Sequence, residues 1–251
     1  MGIINVTPDS FSDGGRYYTL EKALERAKEL EKDGADIIDI GGESTGPNSK
    51  FVSLSEELKR VIPVLKKLRK LTKLPISIDT YKAEVARQAL EEGADIVNDV
   101  TALRGDKKMA EVVAKYKVPV VFMYSKDNSP RTTVKEKHYK DVVKTISGFF
   151  EKRLAYAKKH GIKDSQIILD PGMGQFVSAV PKYSFEIIAR LRRFLKFGRP
   201  ILVGISRKSF LGGDIAGRDE KAKIINAIAY FNGAAILRVH DVKGLKEFFE
   251  N

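Results

Sequence analysis

Gly2-Ile-Ile-Asn-Val-Thr-Pro-Asp-Ser-Phe-Ser-Asp-Gly-Gly15 starts with apolar residues that run into Asn5 and continues as a polar loop with one proline and two glycines. Such a run predicts a buried strand that delivers a polar side chain to a loop. A helical pattern follows, with Thr19 as its predicted N-cap and Gly34 as its C-cap. Its apolar positions are Leu20, Ala23, Leu24, Ala27 and Leu30. The stretch therefore predicts one strand–loop–helix unit.

The same unit recurs along the chain. Gly34-Ala-Asp-Ile-Ile-Asp39 returns 59 residues later as Gly93-Ala-Asp-Ile-Val-Asn98, and again in modified form as Gly233-Ala-Ala-Ile-Leu-Arg238. The spacing fits two βα units of about 30 residues each. Eight apolar runs that alternate with eight helices predict an α/β protein with a (β/α)8 TIM barrel, a single domain over residues 1–251. A doubly wound open sheet is the alternative, but no G-x-G-x-x-G follows the first strand.

Three helices carry local predictions. Ser53-Leu-Ser-Glu56 is a capping-box pattern that opens a helix, and Pro63 within that helix is expected to kink or interrupt it. A helix is predicted over about 182–197, before the seventh strand, and another over about 219–233, before the eighth.

Composition limits the classes of function. The chain has 251 residues, is 43% hydrophobic and contains no cysteine, which excludes disulfides, thiolate metal sites and cysteine nucleophiles. No membrane span or secretory signal is evident, so we expect a cytoplasmic protein. The formal net charge of +12 raises the alternative of a nucleic-acid binder. The basic residues are spread over helical faces and alternate with acids, which favours a solvated surface and no nucleic-acid partner.

Polar side chains end seven of the eight predicted strands. In chain order the strand ends are Asn5, Asp39, Asp79, Asn98, Met123, Asp170, the Ser206–Ser209 turn, and Arg238 with His240. Each polar residue alone could cap a helix or bridge a turn. In a barrel, however, the carboxyl ends of the strands form the active site. Gathering carboxylates there carries a desolvation penalty that the fold does not need, so the set predicts a binding site.

The residue types suggest the ligand. Aspartate and asparagine together match the donor and acceptor edge of a fused aminopyrimidinone ring. Met123 would supply an apolar wall for such a ring. Asn5, Arg238 and His240 meet where the first and last strands adjoin, a common phosphate-binding region of barrels, and Lys208 is a point charge able to reach either group.

Seven motifs in this order resemble the dihydropteroate synthase family over essentially the whole chain. They are Asn5-Val-Thr-Pro-Asp-Ser-Phe-Ser-Asp-Gly-Gly15, Ile38-Asp-Ile-Gly-Gly-Glu-Ser-Thr45, Ser77-Ile-Asp-Thr80, Asn98-Asp99, Asp170-Pro-Gly172, Ser206-Arg-Lys-Ser209 and Arg238-Val-His-Asp241. The resemblance implies a (β/α)8 transferase of folate biosynthesis. Such an enzyme condenses 6-hydroxymethyl-7,8-dihydropterin pyrophosphate with 4-aminobenzoate, forms 7,8-dihydropteroate and pyrophosphate, and requires Mg2+.

The resemblance also implies roles for individual residues. Asp79, Asn98, Asp170 and Lys208 would hold the pterin, with Met123 against its ring. Arg238 and His240 would bind the phosphates, and Asn5 the metal. Thr45 would lie between the two substrates and Ser209, at the start of the helix after strand seven, would receive the aminobenzoate carboxylate. The loops over residues 5–15 and 41–50 would close over the intermediate. Family members usually form homodimers.

The chain departs from the family pattern on the arylamine side. Gly46 replaces the arginine that usually follows Glu-Ser-Thr, Tyr124-Ser-Lys126 replaces a segment that often contains histidine, and Gln175-Phe-Val-Ser178 replaces Gly-Phe-x-Lys. These changes leave room for a related arylamine. Family members also usually have residues before the first strand that cover the barrel bottom, so we expect either a truncated start or a different plug.

Two further functions remain as alternatives. A pterin-binding methyltransferase module that uses methyltetrahydrofolate shares the barrel and the Asp/Asn ring contacts. It has no use for a pyrophosphate site, so Ser206-Arg-Lys-Ser209 and Arg238-Val-His240 weigh against it. A variant synthase that uses another arylamine is the second alternative.

Overall fold

The computed structural model describes residues 1–7 and 18–250. Most of the predicted lid over residues 5–15 therefore lies outside the described residues. The first helix begins at Tyr18, so Thr19 lies inside its first turn and is not the N-cap.

Strands and helices alternate along the described chain. The strands are β1 (Gly2–Asn5), β2 (Ile38–Gly41), β3 (Ile76–Asp79), β4 (Ile96–Asp99), β5 (Val120–Met123), β6 (Ile167–Asp170), β7 (Leu202–Val203) and β8 (Ile236–Leu237). The helices are α1 (Tyr18–Lys32), α2 (Leu54–Leu68), α3 (Ala83–Glu91), α4 (Met109–Tyr116), α5 (Val142–Lys159), α6 (Lys182–Ala189), α7 (Ile215–Phe231) and α8 (Val242–Glu250).

The strands close into a parallel barrel. β1 to β6 pair in chain order, and β7 pairs with β8. Single bridges complete the ring: Leu169 pairs with Ile201 ahead of β7, and Gly2 pairs with Val239 after β8. The predicted (β/α)8 barrel is confirmed, and the open doubly wound alternative is wrong because β1 and the β8 segment are hydrogen-bonded neighbours.

Strand register brings the polar ends to one level. Asn5 pairs with Gly41, and Gly41 pairs with Asp79. Asp79 in turn pairs with Asn98, and Met123 pairs with Asp170. Alternate side chains of a strand share a face, so the residue two places before each of these strand ends also points into the barrel. On β4, β5 and β6 that residue is Ile96, Val121 or Ile168, whereas on β2 and β3 it is Asp39 or Ser77, so the apolar side chains low in the barrel come mainly from β4 to β6.

The core has two layers. Between strands and helices lies a large apolar layer that includes Ile38, Ile78, Phe122 and Phe150, all fully buried. A smaller apolar cluster fills the interior of the barrel towards the amino-terminal ends of the strands. Its buried members are Met1, Ile96, Val121, Ile168 and Leu202. This apolar floor closes the site from below.

Several local predictions need correction. α2 continues through Pro63, which is exposed, so the predicted interruption is wrong, whereas the predicted kink stays a prediction. The segment predicted as one helix over 182–197 divides into α6 and a 3-10 helix over Leu191–Phe197. α7 begins at Ile215, earlier than predicted, because the Asp214 side chain caps it by accepting from the Gly217 amide. No helix among residues 1–7 and 18–250 is long and apolar enough to cross a membrane.

Candidate active site

A cavity of about 70 Å3 lies at the carboxyl end of the barrel. Its lining includes seven of the ten residues predicted for the site: Thr45, Asp79, Asn98, Met123, Asp170, Lys208 and Arg238. Val100, Met173, Phe176 and Gly204 complete it. The other three predicted residues, Asn5, Ser209 and His240, lie outside this lining. The structure thus brings most of the predicted set together, although the strands that carry it are far apart in the chain.

A guanidinium joins two carboxylates at the centre of the site. Arg238 donates from Nε to Asp39 Oδ2 over 2.6 Å and from Nη2 to Asp79 Oδ2 over 2.7 Å. Asn98 Nδ2 lies 3.3 Å from the same Asp39 oxygen. Burial alone would lower the pKa of Arg238, but the two carboxylates outweigh it and raise the pKa. The sequence suggested that Arg238 serves the phosphates; in the structure its guanidinium is paired with the carboxylates of Asp39 and Asp79.

Two carboxyl groups have raised pKa values. Burial is the main cause at Asp79, where repulsion from Asp39 adds to it and the attraction of Arg238 opposes it, and the pKa rises to about 7. At Asp170 burial raises the pKa to about 6, against the hydrogen bond from the Gly172 amide and the charge of Lys208. Perturbed carboxyl groups in a cleft are typical of functional sites.

Lys208 faces Asp170 across the cavity. Burial lowers the pKa of this ammonium to about 8, and the charge of Asp170 opposes that change. Its Nζ also lies 5.0 Å from the centre of the Phe176 ring. Met123, Val100 and Phe176 form a small apolar cluster beside these charges. The cavity therefore combines a flat apolar wall with donors and acceptors at its edge.

A tight turn fixes Asp170. Oδ1 of Asp170 accepts from the Gly172 amide over 2.7 Å, and the Tyr124 amide donates to the Asp170 carbonyl over 2.8 Å. Gly172 has φ +69°, and a Cβ built there would lie 2.4 Å from the Tyr124 carbonyl oxygen. Only glycine fits this position without strain.

His240 is held beside the site by Ser206. Its Nδ1 lies 2.9 Å from Ser206 Oγ. Burial lowers the pKa of His240 to about 3, and the cations Arg207 and Arg238 act in the same direction. The imidazole is therefore neutral, so it offers a hydrogen bond and no charge.

Ser209 does not begin a long helix. It opens a 3-10 helix over Ser209–Leu211, and Gly212 and Gly213, both with positive φ, separate it from α7. The predicted dipole effect of a helix N-terminus at Ser209 is therefore wrong, because Asp214 occupies the N-cap. Gln175 Nε2 instead lies 3.4 Å from Ser209 Oγ.

Some site residues were not assigned from the sequence. Asp39 was noted as a strand end but given no role, although it is fully buried and bonded to Arg238 and Asn98. Its signal was present, since Asp39 ends the same repeated unit that ends in Asn98. Phe176 and Val100 had no comparable signal because apolar residues in loops lack periodicity.

Asn5 is the one predicted metal ligand. Its exposed side chain lies at the carboxyl end of β1. Within residues 1–7 and 18–250, no group of three or more histidine or acidic residues is placed to hold a metal. A single side-chain oxygen such as that of Asn5 matches the chemistry of Mg2+, which usually takes one or two protein oxygens together with water and substrate phosphates.

A barrel whose carboxyl end joins carboxylates, an amide and an ammonium around a flat apolar wall defines a protein that binds a nitrogen-rich heterocycle. The chain belongs to the pterin-binding enzyme family, whose model matches residues 1–240.

Similar proteins agree with this assignment. The dihydropteroate synthase of Synechocystis is 42% identical over 254 residues, which cover 98% of this chain and 86% of that protein. The Xanthomonas albilineans dihydropteroate synthase with 4-aminobenzoic acid has a TM-score of 0.91 and 40% identity, and the match covers 98% of this chain and 88% of that one. The Clostridium difficile enzyme in the presence of pteroic acid has a TM-score of 0.91 and 43% identity, over 98% and 92%.

Proposed function

We propose that this chain is a transferase of folate biosynthesis that condenses 6-hydroxymethyl-7,8-dihydropterin pyrophosphate with 4-aminobenzoate. The products are 7,8-dihydropteroate and pyrophosphate. The observation that carries the proposal is the pair of carboxyl groups that line one cavity, half-buried Asp79 and buried Asp170, together with Asn98 and Lys208. The family relationship and the synthases among its relatives support the same activity.

The pterin fits this cavity by its hydrogen-bonding edge. Asp170 or Asp79 in its ionised form accepts two parallel N–H bonds, as a carboxylate does from a guanidinium. Asn98 offers both a donor and an acceptor, and Lys208 donates to a ring oxygen or nitrogen. Met123 and Phe176 cover the ring faces. Since Arg238 is already paired with Asp39 and Asp79, pterin binding would have to compete with or rearrange those ion pairs.

The reaction separates charge before it forms the new bond. The C–O bond between the pterin methylene and pyrophosphate breaks, so negative charge grows on pyrophosphate and positive charge on the pterin. Asp79 and Asp170 stabilise the cationic ring in a site of low polarity. The arylamine nitrogen then attacks the methylene carbon, the C–N bond forms and the amine loses a proton to solvent. An electron-poor carbon of this kind needs no strong general base.

Mg2+ is part of the proposal. Bound to pyrophosphate, it would neutralise charge on the leaving group. Asn5 is the protein oxygen donor proposed for it, at the edge of β1 next to the segment that follows β8. His240 is proposed to donate a hydrogen bond to the same phosphates from its neutral ring. A bound dianion beside His240 would also raise the low pKa of that ring.

The arylamine is proposed to lie between Thr45 and Ser209. Ser209 is exposed and offers a hydroxyl to the aminobenzoate carboxylate, and the neighbouring Gln175 amide is a second donor. The loop that contains Thr45 is proposed to close over the site. A synthase for a related arylamine remains the second candidate because Gly46 and Gln175 depart from the family pattern on this side.

We further propose a cytoplasmic homodimer. α7 and α8 present neighbouring large apolar side chains to solvent: Ile224, Ile228, Tyr230, Phe231, Phe248 and Phe249 are each at least 41% exposed. An apolar surface of this kind is typical of a subunit interface. Sedimentation at micromolar concentration tests the dimer, and a monomer there would refute it.

Arylamine-dependent release of pyrophosphate tests the main proposal. Protein, pterin pyrophosphate and Mg2+ should release pyrophosphate only when 4-aminobenzoate is added. Asp79→Ala and Lys208→Ala should abolish the release. The control variants Asp36→Ala and Lys28→Ala, at solvent-exposed positions outside the cavity lining, should retain it. Wild-type protein that releases no pyrophosphate would overturn the activity, and active Asp79→Ala would overturn the assigned pterin contacts.

The same assay separates the alternatives. A methyltransferase module would bind methyltetrahydrofolate and leave pyrophosphate unreleased. A nucleic-acid binder would instead retain random oligonucleotides with a steep dependence on salt. Neither result is expected from this site.

A further inference from the structure

Lys126 is a buried cation that the proposed chemistry does not use. Its side chain is only 3% exposed and pairs with Asp127 over 3.1 Å. Nζ also donates to Thr132 Oγ1 over 3.0 Å and to the Thr133 carbonyl over 2.7 Å, and it bonds the Gln175 carbonyl. A buried ammonium with this many partners fixes the segments that carry them.

Asp127 completes the same cluster. Its Oδ2 accepts from the Thr133 amide over 2.9 Å and lies 2.9 Å from Thr132 Oγ1. Burial alone would raise the pKa of Asp127, but the Thr133 amide and the Lys126 ammonium outweigh it and hold the pKa below its ordinary value. Lys126 and Asp127 thus remain a charged pair inside the loop after β5.

The cluster reaches the cavity through three neighbours. The Thr132 amide donates to the Thr45 carbonyl over 3.1 Å, and Thr45 lines the cavity. The Lys126 amide donates to the carbonyl of Phe176, another lining residue, over 2.8 Å. Gln175, held through its carbonyl, carries the side chain that approaches Ser209. One ammonium therefore ties together the loops after β2, β5 and β6.

We propose that Lys126 is a positioning residue that fixes the arylamine side of the active site. The inference rests on the proposed function for the identity of the arylamine. Lys126 and Gln175, two positions at which the chain departs from the family pattern, are in contact, because the Lys126 ammonium bonds the Gln175 backbone carbonyl. A loop that is already ordered adds less entropy cost when substrate binds, and it keeps the Thr45, Phe176 and Gln175 groups in place.

Steady-state kinetics of Lys126→Met test the proposal. The variant keeps the length of the side chain but loses its charge-assisted hydrogen bonds, and its KM for 4-aminobenzoate should rise about tenfold or more. The KM for pterin pyrophosphate should rise less than the KM for 4-aminobenzoate, since Asp79, Asn98 and Asp170 are untouched and only the Phe176 side of the pterin pocket is loosened. Lys135→Met, on an exposed position of the same loop, is the matched control and should behave as wild type.

Amide hydrogen exchange provides a readout that does not depend on the arylamine. In Lys126→Met the amides of Thr132 and Thr133 should exchange at least about tenfold faster, with α3 and β4 unchanged. If the wild type shows no arylamine-dependent pyrophosphate release but the exchange changes as expected, the proposed function is wrong and the ordering of this loop by Lys126 is confirmed. An unchanged arylamine KM in an active variant overturns the positioning role. Should Lys126→Met fail to fold, Thr132→Val removes the hydroxyl contacts to Lys126, Asp127 and the Gln175 carbonyl and is held to the same outcomes.

Discussion

Arg238 and Asp39 are separated by 199 positions in the chain, yet the guanidinium Nε lies 2.6 Å from the carboxylate Oδ2 at the centre of the barrel. Asp39 is fully buried, and the same guanidinium also bonds Asp79. The contact joins the second and eighth strands across the barrel interior. It makes the binding site and the stability of the upper barrel depend on the same charges.

Removing the cation should destabilise the fold. Arg238→Met leaves Asp39 and Asp79 buried without their counter-charge, and breaking such a pair costs about 3 kcal/mol. Urea denaturation at pH 7.5 should register this loss in the free energy of unfolding. Arg87→Met, whose ion pairs lie on the surface of α3, should change it much less.

A double variant separates charge from packing. Asp39→Asn combined with Arg238→Met removes one buried carboxylate with its partner, so part of the lost stability should return. Pyrophosphate release should be low in both Arg238→Met and the double variant, because each lacks the cavity-lining guanidinium expected to bind the phosphates. If the double variant loses more free energy of unfolding than the two single variants lose together, buried charge does not explain the loss in Arg238→Met.

The raised pKa of Asp79 predicts a pH-dependent stability. Between the ordinary pKa of 3.8 and the folded value of about 7, the folded chain holds a proton that the unfolded chain has released. The contribution of this group therefore declines as pH rises through that window and is level above it. Asp79→Asn cannot ionise, so its Tm relative to wild type should increase between pH 5 and pH 8.

Asp79→Asn should impair function even though it does not impair stability. An amide cannot accept two N–H bonds as a carboxylate does, so pterin binding should be lost while stability is retained. Asp36→Asn, at an exposed position, should leave the Tm difference flat with pH. A flat difference for Asp79→Asn as well would mean that Asp79 is ionised throughout.

The barrel and the strand-end residues were predictable because both follow from regular patterns. An apolar run that ends in Asp79 or Asn98 predicts which side chain lies at the carboxyl end of the strand, and the barrel brings those ends together. What each group contacts was not predictable. The bond from Arg238 to Asp39 depends on barrel closure and on side-chain reach, and neither has a local signature.

Loop geometry was the other limit. Ser209 was placed at a helix start, but Gly212 and Gly213 move the helix to Ile215. The hydrogen-bonded cluster around Lys126 joins loop segments that have no hydrophobic periodicity. The sequence therefore identified Lys126 and Gln175 only as departures from the family pattern. That Lys126 bonds the backbone carbonyl of Gln175 could not be inferred from the two residue types, since every residue offers that carbonyl.

Catalysis should show a bell-shaped dependence on pH. In the free protein, Asp170 has a pKa of about 6 and must be ionised, and Lys208 has a pKa of about 8 and must be protonated. Plots of kcat/KM for the pterin substrate against pH should therefore fall below about 7, where Asp79 and then Asp170 become protonated, and above about 8. Lys208→Arg stays charged, so its basic limb should move upward or disappear whatever its maximal rate. A basic limb unchanged in this variant would assign it to another group.

Gly172 supports the site through backbone shape alone. Its φ is +69°, and an added Cβ would lie 2.4 Å from the Tyr124 carbonyl oxygen. Gly172→Ala should therefore cost about 3 kcal/mol, from a left-handed conformation and from overpacking against backbone. It should also lower kcat/KM, because the Gly172 amide orients Asp170.

Gly161→Ala is the matched control for that prediction. Gly161 has φ +78° but no atom within 4 Å of an added Cβ, so the change should cost only about 1 kcal/mol and leave kinetics unaffected. Urea denaturation of both variants measures the difference. Equal losses of stability would mean that the Tyr124 backbone yields to the methyl group, and that the close approach of the two loops does not hold Asp170 in place.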